Sequence, residues 1–462
     1  MGTVPGTGVL QHNKDFEMKI TLRLFISIVA FVPMSALAQP PAEQSGGPPL
    51  KTTFVRPNAV LVERETPDPV RSHIGILITH PEHANNFNYF HGMELARYGY
   101  TVMLLNYYGP ETTYEEFLAP ISAAIKKLRA VDGVQKVVIS GHSSGGPELS
   151  YYENVAENGP AACQQPQRIY KCQTKDAQNL AKADGLLLFD PNSGALSRLL
   201  GLNPAMDAHD PHKIDPALDM FDPKNGYDPA TRSGNYSAEF LKKHFAAQAE
   251  RANQLIDEAQ ARLDKIQKGE GEFKDDEPFL VAGTSGAGRA GLGAQLTGAD
   301  LRFLSKTHAP HLLLKADGTR SMQVIPSVAR PSARPEDQDV LALTTANTTV
   351  RHFLSFDALR ALPDYHLTED RIVGVDWQSS GDSMQGSVQG IHVPTLIVAA
   401  TCWTDFGPLE TVYDNSAATD KEYVGIEGAN HGMRPCRPEF GDTWKRAFDY
   451  VDSWLLKSGR FR

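Results

Sequence analysis

A serine stands between two glycines at the end of a short apolar run: Val137-Val138-Ile139-Ser140-Gly141-His142-Ser143-Ser144-Gly145-Gly146-Pro147. The apolar residues read as a buried strand. Gly-x-Ser-x-Gly reads as a sharp turn, and Pro147 fits the first turn of a helix, where its missing N–H costs nothing. Strand, turn and helix in that order are the setting of a nucleophile elbow, which holds a serine hydroxyl exposed on a strained turn. Gly141 and Gly145 let the backbone bend that tightly without Cβ clashes. The plainer reading is a Gly/Ser turn with no chemistry. A serine hydroxyl is a poor nucleophile at neutral pH, so Ser143 needs a base within hydrogen-bond reach.

Near the other end, Lys421 to Ile426 reads as a strand, followed by Glu427-Gly428-Ala429-Asn430-His431-Gly432-Met433 and an amphipathic helix from Thr443 to Leu456. An imidazole at His431 titrates near neutrality and can take and return a proton. Elbow, histidine loop and last helix together resemble the α/β-hydrolase superfamily, over about Thr52 to Pro191 and Ile391 to Leu456. The resemblance implies attack by Ser143 on an acyl carbonyl, with His431 as base and then acid. It also implies an acidic residue between the two in chain order. Val393 to Ala400 is similar to the family's Pro-Thr-Leu strand. Asp405, five residues beyond it, is therefore the first candidate to orient His431. Asp190, at the end of the apolar run from Gly185, is the second candidate; Glu410 and Asp414 come after it. For the oxyanion the resemblance implies two backbone N–H donors. One is Ser144. The other lies in the loop Thr79 to Asn86, where Pro81 has no N–H and leaves His80 or Glu82. That loop lacks the His-Gly-Gly-Gly pattern of the hormone-sensitive-lipase relatives.

The elements needed to position these residues are legible around them. Strands are expected at Thr52–Glu65, His73–Thr79, Tyr100–Asn106, Gln135–Ser140 and Gly185–Phe189, with helices at His91–Tyr98 and Tyr114–Val131. Apolar strands alternating with amphipathic helices imply an α/β protein with a mostly parallel sheet covered on both faces; the resemblance makes this the α/β-hydrolase fold. The pattern breaks between Pro191 and Ile391. The expected organisation is an N-terminal extension and signal peptide over 1–38, a first core segment over 39–190, a large, mainly helical cap over 191–390 and a second core segment over 391–462. In the cap, Leu241, Phe245, Ala249, Ala252, Leu255, Ile256, Ala259, Leu263 and Ile266 recur at helical spacing. A second helix is expected around Arg351–Leu362. Such a cap would exclude water and shape a substrate pocket.

Four cysteines occur: Cys163, Cys172, Cys402 and Cys436. None are in C-x-x-C spacing, which argues against zinc. Of three possible pairings, Cys163–Cys172 and Cys402–Cys436 are preferred, the second tying the Asp405 loop to the His431 loop; four free thiols are the alternative. Lys19 and Arg23, the apolar run Leu24–Val32 and Ser35-Ala36-Leu37-Ala38 read as a secretory signal cleaved near Ala38. A periplasmic or secreted protein beginning at Gln39 is expected, in a space where disulfides persist. A net charge of −10 argues against nucleic acid and anionic membrane as partners. Gly286-Ala287-Gly288-Arg289-Ala290-Gly291 matches a dinucleotide fingerprint, yet no strand–helix–strand unit surrounds it. His209-Asp210-Pro211-His212 with Asp207 or Asp215 could hold a metal, but surface turns explain it as well. The expectation is a secreted, cofactor-free serine esterase acting through an acyl-enzyme on a small-molecule or polymer-derived ester. Amide or β-diketone cleavage on the same residues is the alternative, and a non-catalytic binding protein on a hydrolase scaffold is the alternative of another class.

Overall fold

Runs of Val, Ile and Leu form the middle of a sheet buried on both faces. A computed structural model describes residues 47–81, 85–107, 113–208, 210, 212–284, 295–332 and 345–461. The expected signal peptide, Glu82, His209, Pro211 and Gly286–Gly291 lie outside these residues. The strands β1 (Leu50–Val55), β2 (Ala59–Arg64), β3 (Ile74–Ile78), β4 (Thr101–Leu105), β5 (Lys136–Ser143) and β6 (Gly185–Pro191) come from the first part of the chain. They are joined by β7 (Lys306–Leu314), β8 (Arg320–Pro326), β9 (Thr395–Ala400) and β10 (Lys421–Ile426). The order across the sheet is β1-β2-β4-β3-β5-β6-β9-β10-β7-β8. From β4 to β7 every neighbouring pair is parallel, while β1, β2 and β8 run antiparallel to their neighbours.

Helices cover both faces, as the alternation requires. On one side α2 (Glu115–Arg129), α3 (Gly145–Asn158) and α6 (Phe406–Asn415) bury Phe117, Ile121, Leu128, Leu149, Tyr152, Phe406 and Leu409 against the sheet. On the other, α1 (Phe90–Tyr98) and α7 (Thr443–Leu455) bury Leu95, Trp444, Phe448, Val451 and Leu455. Among the described residues no helix is long and apolar enough to cross a membrane.

The stretch 191–390 differs from the expected helical cap in two ways. Residues of β7 and β8 leave it and extend the central sheet, β7 pairing with β10 through Leu312–Val424, Leu313–Gly425 and Leu314–Ile426. Their sequence gave little warning, because a hairpin on a sheet edge needs only one buried face, and Met322 and Val324 are exposed. The remainder mixes α4 (Ala195–Gly201) and the 30-residue α5 (Ala238–Gln267) with two-stranded ribbons. The helix expected near Arg351–Leu362 is one short turn, Val350–His352, then a π-helical turn, Phe353–Asp357, and a strand, Ala361–Leu367. The apolar stripe of α5 does pack as read: Phe240, Phe245, Leu255, Ile256 and Leu263 join Phe279, Val281, Tyr365 and Leu367 in a second core.

Arg251 on α5 is buried, and Asp207 acts on it through its charge. Its guanidinium donates to the carbonyls of Asn203 (2.9 Å), Ala282 (2.6 Å) and Met206. Burial lowers its pKa to about 10. Two chain segments, the loop after α4 and the strand ending at Ala282, are thus held to α5 by one side chain. Arg251→Met should leave those carbonyls unpaired and lower the unfolding free energy by about 2 kcal/mol. Urea titration of both proteins checks this, and equal midpoints at equal slopes would contradict it.

Candidate active site

The chain turns sharply at Ser143. Its φ of 55° is in the left-handed region, which costs a non-glycine residue energy and is tolerated where surrounding structure imposes it. The surroundings explain both flanking glycines. A Cβ on Gly141 would meet Gly145 O at 2.3 Å, and one on Gly145 would meet Thr79 O at 2.5 Å. Ser143 therefore sits between the end of β5 and the first turn of α3, partly exposed, with its carbonyl accepting from Asn192 N at 3.0 Å. No hydrogen bond from the Ser143 hydroxyl occurs among the described residues; such bonds often tighten only once substrate is bound.

Asp190 occupies the corresponding place on β6, also at positive φ, 46°. Its carboxylate is wholly buried. One oxygen accepts from Ala400 N at 3.0 Å and the other meets His431 Nδ1 at 2.9 Å. Burial pushes this carboxyl up, while the bond to His431 and its charge pull it down. The acid beside the imidazole is thus Asp190 and not Asp405, which corrects the first candidate from sequence. Asp405 heads α6 with its carboxylate turned to the chain after β6. It accepts from Ser193 N (3.2 Å), Ser197 Oγ (3.4 Å) and Trp403 Nε1 (3.0 Å). Glu410 and Asp414 lie further along α6, facing β7. Glu410 accepts from His311 Nε2 and the amides of His308 and Ala309, contacts that hold its pKa low against burial, and Asp414 meets His308 Nε2 at 3.2 Å.

Two rings enclose His431. Trp403 stacks on one face at 4.8 Å and 16° between planes, His142 on the other at 4.6 Å and 27°. His142 is buried, and burial, then proximity to His431, hold its pKa well below the ordinary range, so the ring is neutral. It meets the carbonyl of His431 through Nε2 at 2.7 Å and the Tyr89 hydroxyl through Nδ1 at 2.6 Å. A carbonyl can only accept, so Nε2 carries the proton and Nδ1 accepts from Tyr89. Neither Trp403 nor the stacking role of His142 was foreseen. The signal available was weak: an aromatic beside a candidate acid, and a histidine inside the elbow motif.

The loop from which the resemblance draws the second oxyanion donor also has a defined place. His80 follows β3, and the preceding carbonyl, Thr79 O, lies against Gly145 at the start of α3. His80 and Ser144 are buried, and Ser144 Oγ lies 3.2 Å from His80 Nδ1 and 3.4 Å from Nε2. Asn86 pins this loop from below, donating to His80 O (3.1 Å) and Leu105 O (3.0 Å).

Cys163 is bonded to Cys172, and Cys402 to Cys436. The second bridge joins the loop of Trp403 to the loop of His431, and Cys402 N also donates to Ala429 O at 2.9 Å. Among the described residues one group has metal-ligand character, His142, Asp190 and His431, with ligand atoms within 4.8 Å of one another. Lone pairs lie in the ring planes, and two stacked imidazoles direct theirs side by side, not at one point. This set fits hydrogen bonding better than a metal. Asp207, Asp210 and Asp215 spend their carboxylates on Lys213 and on local turn amides.

No protein-family profile matches the sequence, and no curated protein sequence matches it. Solved structures are similar to it at low identity. A siderophore hydrolase, EstB, from Aspergillus fumigatus covers 89% of this chain and 99% of its own, with TM-score 0.39 and 11% identity. Esterase B from Lactobacillus rhamnosis covers 88% of this chain and 85% of its own, with TM-score 0.37 and 10% identity. The α/β hydrolase GrgF from a Penicillium species covers 88% and 97%, with TM-score 0.34 and 11% identity. No residue assignment rests on these likenesses. The strand order, the antiparallel second strand and the positive-φ serine between strand and helix give this chain the α/β-hydrolase fold.

The Cys402–Cys436 bridge closes a loop with sequence separation 34 across the site. Replacing both cysteines by serine should lower stability by about 3–4 kcal/mol on the chain-entropy account. Thermal unfolding of the double variant beside the wild type is the measurement. An unchanged midpoint would show that packing alone fixes the two loops.

Proposed function

We propose that the protein is a serine hydrolase that cleaves carboxylic esters through an acyl-enzyme. The hydrogen bond between Asp190 and His431 Nδ1 carries this reading. With Nδ1–H donated to a buried carboxylate, Nε2 is the basic nitrogen of the ring. His431 takes the proton of Ser143 as its oxygen attacks the acyl carbon. The carbonyl oxygen becomes an oxyanion held by the amides of Ser144 and His80, at the positive end of α3. The alkoxide leaving group departs with the proton from His431. Water then repeats the sequence, giving up a proton to His431, releasing the acid and restoring Ser143. Asp190 orients the ring and balances its charge, so the triad reads Ser143, Asp190 and His431 in chain order.

Ester cleavage is favoured over amide or carbon–carbon cleavage because a partly exposed elbow serine with this triad suffices for an alkoxide leaving group. Two disulfides within one chain suit an oxidising compartment, and we place the mature protein outside the cytoplasm.

A fluorophosphonate should label the wild type and leave Ser143→Ala unlabelled; equal labelling would remove Ser143 from the reaction. Against short aryl esters, Asp190→Asn should lower kcat by about ten-thousand-fold, and Asp405→Asn far less. The reverse ranking would restore Asp405 as the acid. The kcat/KM profile should rise with pH as His431 loses its proton, since only the neutral ring acts as base.

A further inference from the structure

The reaction above requires His431 to carry a positive charge for part of each turnover, with its ring held between two others. On the reading of His431 as the base, we infer that Trp403 is a positioning residue whose ring face supports the imidazolium, and that Asp405 is the latch that keeps it there. An indole presents a negative π-face and attracts a cation placed over it. Trp403 lies 4.8 Å from His431, nearly parallel to it. The other face meets His142, whose two nitrogens are engaged by Tyr89 and by the carbonyl of His431 itself. That ring takes up no proton, so it neither competes for the charge nor repels it. The sandwich is therefore asymmetric: one face is neutral and fixed by hydrogen bonds, the other rich in π-density.

Nothing in the site needs a buried carboxylate at position 405 to touch His431. Asp405 is 7% exposed and sits two residues beyond Trp403, with its second oxygen on the indole N–H at 3.0 Å. Its first oxygen takes the Ser193 amide and the Ser197 hydroxyl, three and seven residues past Asp190. One carboxylate thus fixes the orientation of Trp403 to the strand end that carries the acid. An acceptor on the indole N–H also draws that proton's charge away from the ring face that His431 uses. Other charged groups among the described residues are engaged as follows. Asp190 meets Nδ1, and His91 and His80 lie beyond His142. Arg434, in the same loop as His431, is spent on Trp444 at 3.9 Å. Glu427, at the start of that loop, accepts from Ala316 N.

Two readouts test this on the whole protein. The first is tryptophan emission against pH, which needs no substrate. Imidazolium stacked on indole should quench it as pH falls through the titration of His431, and the step should vanish in Trp403→Phe and in His431→Asn. The second is the rate of inactivation by a fluorophosphonate against pH. Loss of cation support disfavours the charged ring, so its pKa falls. The acid limb in Trp403→Leu should move to lower pH by about 0.5–1 unit, with a smaller move in Trp403→Phe, which keeps an aromatic face. Asp405→Asn should move it in the same direction and weaken the emission step. An unmoved limb in Trp403→Leu, a uniform rate loss at every pH, or an emission step that survives in Trp403→Phe would overturn the inference. Labelling of His431→Asn at the wild-type rate would instead overturn the assignment of the base, whatever Trp403 does.

Discussion

The site depends on one hydrogen bond, between a carboxylate with no solvent exposure and an imidazole at the surface of the site. A buried carboxylate with too few donors is costly. Asp190 receives two, the Ala400 amide and His431 Nδ1. The first is possible only if β6 and β9 are in register, and the second only if the loop after β10 returns over both. Three strand ends from distant parts of the chain therefore converge on one side chain. The positive φ at Ser143 and at Asp190 shows the same constraint from the backbone side, since both residues are bent where their strands stop.

Much of this was legible in the sequence because the signals were local. The apolar run ending in Gly-x-Ser-x-Gly produced a strand, a left-handed serine and a helix, and the close approaches at Gly141 and Gly145 show why glycine stands there. His431 was legible because a glycine-flanked loop between a strand and an amphipathic helix is short and distinctive. The acid was not. Asp190 and Asp405 both follow apolar strands, and those strands are neighbours in the sheet, so either carboxylate starts close to the histidine. The choice is made by which way each side chain turns, and that depends on partners such as Ala400 and Trp403 that no spacing rule reveals.

Asp405 was nonetheless a fair choice on physical grounds. It is buried and bound to three donors, and one of them is the indole that lies against His431. The sequence placed an acid near His431; the structure puts an aromatic ring between them. His142 escaped notice for a related reason. Inside a motif defined by serine and glycine it counts as an arbitrary residue, yet its ring and both its nitrogens help define the pocket around His431.

The pairing of β7 with β10 has a mechanical consequence. The chain leaves the sheet after Pro191, comes back for residues 306–326, and leaves again until Thr395. What looked like a single insertion is two separate excursions, each fastened at both ends to the same rigid ladder. The β7–β10 pairing stands between the two excursions and separates them. Each excursion is therefore tied to the sheet on its own, and a displacement of one does not by itself carry the other.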